Sequence, residues 1–222
     1  MANFFDNQPL DGLVGLAFQS IAVDNVVPPV INAINQGILD APVFTIWMED
    51  RGDSNNVQGG VFTYGGIDTQ HCGKDLTYVP LSSASYWQFS ISGVTVGSVS
   101  VKRNWEIISD SGTSLINAPD EVVDQIAVEL NAQFDELGYL YVQCSGNPDI
   151  IFTIGDNRYA IKERHYLINR SDPNLCLVAL EKAGTPNGFD SPEWILGDPW
   201  IRQFCNVYDV GQKRIGFATA HP

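Results

Sequence analysis

Short apolar or alternating segments recur along the chain, separated by residues that favour turns. Such segments, bounded by glycine and other turn formers, are typical of β-strands. The turns are marked by Gly59-Gly60, Gly65-Gly66 and Gly155-Asp156-Asn157. The predicted strands lie at residues 43–47, 60–64, 87–91, 94–96, 150–154 and 215–217. The sequence therefore predicts a mainly β fold.

Two segments with helical periodicity interrupt this pattern. A helix is predicted over residues 119–133, where one face carries the apolar residues Val122, Val123, Ile126 and Leu130. A shorter helix is predicted to begin at Pro29 and to end near Gly37. Isolated helices in a chain of many strands indicate a large all-β fold, mainly β with a few short helices.

The composition is that of a globular protein that does not bind polyanions. The 222 residues are 44% hydrophobic, enough for a packed core in one large domain or two modest ones. Aspartate and glutamate number 26 against 12 lysine and arginine residues, which gives a net charge of -14. This charge repels phosphate backbones and anionic lipid surfaces, and no apolar run approaches the roughly 18 residues of a membrane span. We therefore expect no nucleic-acid partner and no membrane partner.

The four cysteines are Cys72, Cys144, Cys176 and Cys205. They form no Cys-x-x-Cys pair, and the chain has only three histidines, so no metal site is expected. An even number of cysteines in an acidic chain favours two disulfides and an oxidising compartment. The residues alone leave three connectivities open, and four buried free thiols are the alternative. Asn169-Arg170-Ser171 fits a glycosylation sequon at Asn169.

The pentapeptide Asp110-Ser111-Gly112-Thr113-Ser114 follows an apolar segment at residues 105–108 and carries the main candidate for catalysis. An aspartate that leaves a buried strand into a glycine turn is held rigidly, and neighbouring hydroxyls can bond its carboxylate. A carboxylate that activates water needs such a position. An ordinary Asx or Ser-Gly turn is the structural alternative, because these residue types are common turn formers.

A trypsin-like serine protease is a second alternative for this pentapeptide. The Gly-Asp-Ser-Gly context of those enzymes is not matched, because Ser109 stands in place of the first glycine and Thr113-Ser114 replaces the Gly-Pro that follows. No histidine lies in a recognisable base motif, so a Ser-His-Asp triad is not favoured.

Motifs on both sides of the pentapeptide resemble those of the pepsin-like aspartic proteases. These motifs are Tyr86-Trp87-Gln88, Glu193-Trp194-Ile195-Leu196-Gly197-Asp198, Ile201-Arg202-Gln203-Phe204, Tyr208-Asp209 and Ile215-Gly216-Phe217-Ala218. With the motifs in this order, the resemblance extends over nearly the whole chain. The resemblance implies a pepsin-like acid protease lobe with a double-ψ type β-barrel, in which residues 195–197 thread past the aspartate loop.

The resemblance also implies one complete lobe and the remainder of another. A second segment of the supporting type, Leu13-Val14-Gly15, lies near the start, with no Asp-Thr-Gly loop before it. By the family's order, residues 1–75 resemble a remnant of the amino-terminal lobe and residues 76–222 the complete carboxy-terminal lobe. Most of the amino-terminal lobe, including its aspartate and its flap, is expected to be missing.

Site roles are likewise implied by the resemblance. In the pepsin-like family two aspartates share one proton and hold a water molecule between them. Asp110 would be the second of these aspartates, and the reaction needs no cofactor. The implied substrate-binding residues are Ser111, Gly112 and Thr113 beside the carboxylate, Tyr86, Ile108 and Ile195 on the primed side, and Leu13 and Phe4 in the S1 wall. Ile108 and Ile195 are equally well explained as core residues.

One disulfide connectivity is selected by the same resemblance. The spacing of Cys144 and Cys176 matches the disulfide in the second lobe of many family members. Cys72 and Cys205 would then form the remaining pair, as in a subset of the family. The family setting implies a secreted or lysosomal protein.

The implied function is hydrolysis of peptide bonds at acidic pH, in a truncated form that is inactive alone. The expected partners are protein or peptide substrates, pepstatin-type inhibitors, and either the missing amino-terminal lobe or a second copy of the chain. Two alternatives remain. One is a self-associating half-enzyme with an Asp110–Asp110 dyad, and the other is a non-catalytic module that binds peptides.

Overall fold

The computed structural model of the chain describes residues 12–51, 57–170, 172, 174–184 and 192–221. It is built mainly from strands with a few short helices, which is the fold class expected from the sequence. The α-helices are α1 (Pro29–Asn35), α2 (Asp120–Glu129), α3 (Glu163–Tyr166) and α4 (Asp198–Gln203), and two short 3₁₀ helices lie at Gln19–Ile21 and Val23–Asn25. The strands are β1 (Val43–Met48), β2 (Gly60–Tyr64), β3 (Thr77–Pro80), β4 (Ser83–Ala84), β5 (Trp87–Val96), β6 (Val99–Ser109), β7 (Ile116–Ala118), β8 (Gln133–Phe134), β9 (Leu140–Gln143), β10 (Ile150–Ile154), β11 (Asn157–Ile161), β12 (Leu167–Ile168), β13 (Leu175–Val178), β14 (Leu180–Lys182), β15 (Trp194–Leu196), β16 (Phe204–Asp209) and β17 (Arg214–Thr219).

The described strands form three sheets. The first is antiparallel with the order β2-β1-β16-β17-β3, so strands from the start of the chain pair with its last two strands. The second follows the order β11-β10-β5-β6-β15-β7-β14 with β4 beside β5, and the third follows β12-β13-β9-β8. The predicted boundary at residue 75 lies between β2 and β3, which are the two edge strands of the first sheet.

A single large hydrophobic cluster joins the first sheet to the second. Trp200 on α4 is fully buried at its centre, with ring centroids 5.7 Å from Phe152 of β10 and 4.9 Å from Phe217 of β17. Aromatic pairs at these distances add to the stability gained from area burial. The cluster therefore holds α4, and with it the residues just before α4, in a defined position.

The carboxyl ends of α1 and α2 are each followed by a residue in the left-handed conformation. Gly37 has φ +67° two residues after the last residue of α1, so that helix ends close to the predicted position. The predicted end of the second helix at residue 133 was wrong, because α2 ends at Glu129 and Gln133 belongs to β8. Asn131 takes φ 51°, and Ala132 N–H donates to Ala127 O at 2.8 Å, which closes the helix in a Schellman motif.

The segments predicted as separate strands at residues 87–91 and 94–96 form one strand, β5. Its pairing with β6 shifts register between Ile91 and Gly93, which is a β-bulge. Gly93 suits this position, since a Cβ there would lie 2.8 Å from the Val101 carbonyl oxygen on β6. The bulge lets a long strand continue past the break in its alternating pattern.

Two disulfides use all four cysteines, Cys72–Cys205 and Cys144–Cys176. These are the pairs that the resemblance implied. The first joins the segment before β3 to β16 in the first sheet, and the second joins the end of β9 to β13 in the third.

His165 on α3 is partly buried between charged groups. Burial first, and the positive charges of Arg164 and Arg202 next to it, lower the pKa of His165 from 6.5 to about 4, while Asp50 acts in the opposite direction. The imidazole is therefore neutral in the folded chain over most of the acidic range.

We expect this histidine to make the chain less stable as the pH falls from about 6.5 to about 4. In that interval the unfolded histidine takes up a proton and the folded one does not, so stability present above the unfolded pKa is lost. Allowing for partial exposure, the loss is about 2 kcal/mol. Denaturant unfolding at a series of pH values should show a smaller loss for His165→Gln. A pH dependence in His165→Gln equal to that of the wild type would contradict the assignment.

Candidate active site

Asp110 follows directly after β6, and its carboxylate is held on both oxygens. Gly112 N–H donates to Oδ1 at 2.9 Å, and Thr113 Oγ1 donates to Oδ2 at 2.7 Å. The backbone N–H of Asp110 donates to Leu196 O at 3.0 Å, which ties the loop to β15. The carboxylate is partly exposed. It is therefore a fixed acceptor with room left on its outer side for water or another donor.

The loop around Asp110 is threaded by the chain that leaves β15. This strand runs parallel to β6, with Leu196 opposite Ser109. At Gly197 a Cβ would lie 2.0 Å from Thr113 O and 2.3 Å from Leu115 O, so only glycine fits between these carbonyl groups. The next residue, Asp198, donates its N–H to Thr113 O at 2.9 Å. The threading predicted for residues 195–197 is thus present in the structure.

Gly197→Ala is expected to destabilise the chain by about 3 kcal/mol, because the added methyl group meets backbone atoms that cannot rotate away. Denaturant unfolding measures this loss. The matched control is Gly66→Ala, since a Cβ at Gly66 meets nothing within 4 Å. Equal stability of the two variants would contradict the close approach seen at Gly197.

A buried polar network lies beneath the Asp110 loop. Ser109 Oγ donates to Asn206 Oδ1 at 2.8 Å and lies 2.9 Å from the Tyr208 hydroxyl. Trp200 Nε1 donates to the same Asn206 oxygen at 3.2 Å. Satisfied buried networks of this kind rigidify their surroundings. The network therefore anchors the residue before Asp110 to β16 and α4.

Tyr208 is the aromatic part of this support. Its ring stacks on Phe44 with centroids 4.6 Å apart and meets Trp87 edge-on at 4.9 Å. Burial raises the pKa of the Tyr208 hydroxyl and the nearby Asp110 charge acts in the same direction, whereas the hydrogen bond with Ser109 opposes them. The hydroxyl thus stays protonated and can donate to Ser109.

The sequence analysis did not identify the roles of Ser109, Asn206 and Tyr208. A weak local signal exists, because Asn206 is a polar residue within the apolar segment of β16, and Asn206 and Tyr208 alternate on one face of that strand. Ser109, at the end of β6, is 97 residues before Asn206 and 99 residues before Tyr208 in the sequence. No local pattern in the sequence shows this pairing.

Asp198 lies behind the loop rather than in the cleft. Its carboxylate pairs with Arg202 Nη2 at 3.4 Å. Burial raises the pKa of the Asp198 carboxyl, Arg202 opposes this shift, and the negative charge of Asp110 adds to it. Its backbone contact with Thr113 makes Asp198 a supporting residue of the loop.

Asp110 opens into a cleft of about 360 Å³. Its wall is mostly apolar and includes Leu16, Ile21, Phe44, Ile46, Phe62 and Trp87. Of the residues with predicted roles, the cleft brings together Leu13, Tyr86, Ile108, Asp110, Ser111 and Gly112. Ile108 is both core and cleft wall, since it is only 5% exposed.

The remaining predicted site residues lie outside the cleft lining or outside the described residues. Thr113 lies behind the carboxylate that its hydroxyl bonds. Ile195 pairs with Ile108 across β15 and β6 but does not line the cleft. Phe4 lies outside the described residues.

One side of the cleft is open. Leu13 is 82% exposed, Phe62 44% and Tyr86 43%, although all three line the cleft. Tyr64, two residues after Phe62 on the edge strand β2, is also exposed. A contiguous apolar surface of this kind next to a cleft is typical of an interaction site.

Neither a metal cluster nor a membrane span is found in the described part of the chain. No group of three or more histidine, cysteine, aspartate or glutamate side chains there could hold a metal ion. None of the helices described is long and apolar enough to cross a membrane. Asn169, the sequon asparagine, is exposed, and Ser171 of the same sequon lies outside the described residues.

Comparisons with known proteins give the family of the chain's relatives. A family model described as eukaryotic aspartyl protease matches residues 1–220. The chain is 50% identical over 220 residues to aspartic protease 6 of Caenorhabditis elegans, a match that covers 97% of this chain and 55% of that protein. It is 44% identical to aspartic protease 2 of Necator americanus over 220 residues, which covers 99% of this chain and 51% of the relative.

The similarity extends to vertebrate proteins. Pepsin A of Suncus murinus is 33% identical over 222 residues, with 97% of this chain and 55% of the relative covered. The chain thus spans about half the length of the curated relatives it matches.

Proposed function

The chain belongs to the eukaryotic aspartyl protease family, and from that premise we propose that it supplies half of the active site of an acid endopeptidase. Asp110 is one of two catalytic aspartates, and the second comes from a polypeptide segment outside these 222 residues. The observation that carries this proposal is the geometry of Asp110, a carboxylate fixed on both oxygens and facing an apolar cleft.

The chemistry follows from two carboxyl groups placed close together. In this family the pair lies about 3 Å apart and cannot ionise twice, so one group takes a proton from the bound water while the other donates a proton to the carbonyl oxygen of the peptide. The Gly112 N–H binds one lone pair of Asp110 Oδ1, and the Thr113 hydroxyl binds one lone pair of Oδ2. The outer lone pairs are left for the water and for the partner carboxyl group.

The need for a second polypeptide segment is supported by the sequence and by the open cleft. The printed residues contain one Asp-Ser/Thr-Gly triplet, at Asp110. The exposed apolar residues Leu13 and Phe62 line a cleft wall that nothing in the described residues covers. We propose that residues 1–75 are the remainder of an amino-terminal lobe, that residues 76–222 are the carboxy-terminal lobe, and that this surface meets the rest of the amino-terminal lobe.

The proposed substrates are proteins or peptides with bulky apolar residues beside the scissile bond. The apolar cleft wall supports this choice, because aromatic and aliphatic walls bind apolar side chains. The proposed substrate-binding residues are Ser111, Gly112, Thr113, Tyr86, Ile108, Ile195, Leu13 and Phe4, and pepstatin-type inhibitors are expected to bind the same cleft. Two disulfides support a secreted or lysosomal location, where Asn169 would be available for glycosylation.

The test is cleavage of a quenched peptide with bulky apolar residues at about pH 4, where paired aspartates of this kind work. The chain is assayed alone and together with the amino-terminal half of aspartic protease 6 of Caenorhabditis elegans. Pepstatin-sensitive cleavage in the mixture only is the expected result. Cleavage by the chain alone, rising with the square of its concentration, would instead favour an Asp110–Asp110 dyad from two copies. Pepstatin binding without cleavage in a mixture shown to assemble would favour a peptide-binding module and contradict the catalytic proposal.

A further inference from the structure

A second cavity, of about 270 Å³, lies where the end of β1 meets α3, α4 and the end of the chain. Its polar and charged lining residues are Glu49, Asp50, Arg164, His165, Arg202 and His221. None of these residues lines the Asp110 cleft. The cavity is therefore separate from the proposed peptidase site.

The imidazole of His165 is in a defined tautomer. Arg164 Nε donates to His165 Nε2 at 3.0 Å, and an arginine nitrogen can only donate. Nε2 must therefore carry a lone pair, and in the neutral ring the proton lies on Nδ1. Nδ1 is buried and has no hydrogen-bond partner among the described residues. A buried N–H group without an acceptor is uncommon in folded proteins and indicates an acceptor that the described residues do not supply.

The charges around His165 favour an anionic acceptor. Arg164 and Arg202 both act on the imidazole as positive charges, and both lower the pKa of His165. Asp50, an exposed residue two positions after β1, opposes them. Glu49 is engaged by Arg51, and His221 is exposed at the end of the described chain. Two guanidinium groups, Arg164 and Arg202, and one carboxylate, Asp50, therefore act on the ring.

Arg202 has donors to spare. Among the described residues its side chain makes one hydrogen-bonded ion pair, from Nη2 to the Asp198 carboxylate at 3.4 Å. A guanidinium group carries five N–H donors in a planar fork that matches a carboxylate or phosphate group. A ligand in the cavity can therefore bind Arg202 without removing Asp198.

We propose that this cavity binds a carboxylate group, which accepts the His165 Nδ1–H proton in a hydrogen bond and pairs with Arg202 and Arg164. The ligand is a small carboxylate ion or the carboxyl terminus of a peptide, since both present the same planar acceptor. The proposal does not depend on the peptidase function, because none of the three residues touches the Asp110 cleft.

The test is a titration of the whole 222-residue chain with sodium acetate at pH 6. The readout is the NMR signals of the two imidazole nitrogens of His165. We expect the free chain to show the Nδ1–H tautomer and acetate to shift the His165 signals in a saturable way. Arg202→Gln and Arg164→Gln should each weaken acetate binding about tenfold, the loss expected for one charge-assisted hydrogen bond. Arg158→Gln, at an exposed arginine of β11 outside the cavity, should leave the affinity unchanged.

Three results would overturn the proposal. They are an Nε2–H tautomer in the free chain, a His165 shift that never saturates, and equal acetate affinity in Arg164→Gln and the wild type. Arg164 is exposed, so its variant remains informative if Arg202→Gln disturbs α4.

A short peptide with a free carboxyl terminus and its amidated form separate the two sources of the ligand. Tighter binding of the free-acid peptide than of acetate assigns the site to peptide termini, and equal binding assigns it to small ions.

Discussion

Asp110→Asn is expected to reduce peptide hydrolysis by the assembled enzyme about 10⁴-fold, as removal of a group that acts directly in the chemical step does in other hydrolases. The amide has nearly the same size as the carboxylate, so the cleft should keep its shape. It cannot accept a proton from water, and its NH₂ group would face either the Gly112 N–H or the Thr113 hydroxyl, both of which donate to Asp110 in the structure. The measurement is kcat/KM on a bulky apolar peptide at about pH 4.

Asp156→Asn is the matched control for this substitution. Asp156 is an exposed aspartate in the turn between β10 and β11 and lies outside the cleft. The Asp156→Asn substitution changes the net charge by the same amount as Asp110→Asn. Because Asp156 lies outside the cleft, the Asp156→Asn enzyme should keep the wild-type kcat/KM. An Asp110→Asn enzyme that kept more than about a tenth of the rate would show that Asp110 is not a catalytic group, since such groups contribute far more.

Removal of the Cys72–Cys205 disulfide is expected to cost about 5 kcal/mol of unfolding free energy. The bond closes a loop with a sequence separation of 133 residues, and a cross-link stabilises mainly by restricting the unfolded chain, more so for longer loops. It also joins the segment before β3 to β16, which is the central strand of the first sheet. Denaturant unfolding of the Cys72→Ala/Cys205→Ala variant, without reductant, measures the loss.

The second disulfide provides the comparison. Cys144–Cys176 has a sequence separation of 32 residues, and the same dependence on loop length gives about 4 kcal/mol for Cys144→Ala/Cys176→Ala. The order of the two losses is the prediction. A larger loss for the shorter loop would show that native packing around the disulfides, rather than restriction of the unfolded chain, controls their contribution.

Local patterns in the sequence were sufficient for the fold class and for placing Asp110 at the end of a strand, whereas its catalytic role was implied only by the resemblance to the pepsin-like family. Apolar segments between turn formers predicted the strands, and two of them, β2 and β10, have the predicted bounds. Pro29 and Gly37 marked the two ends of α1 because proline and glycine restrict or permit particular backbone angles. Asp110 stood out because a strand, an acidic residue and a glycine turn are adjacent in the chain. These features depend on neighbours in sequence, so the sequence alone determined them.

The support of the site was decided by tertiary contacts. Ser109 meets Tyr208, and Gly197 passes between two carbonyl groups of the Asp110 loop, because strands far apart in the chain pair in the sheets. The unpartnered Nδ1 of His165 is equally invisible in the sequence, since it depends on which nitrogen Arg164 bonds and on what surrounds the ring. Pairing of distant strands depends on packing free energy summed over the whole core. No short segment of sequence contains that sum, so only the folded chain shows which residues meet.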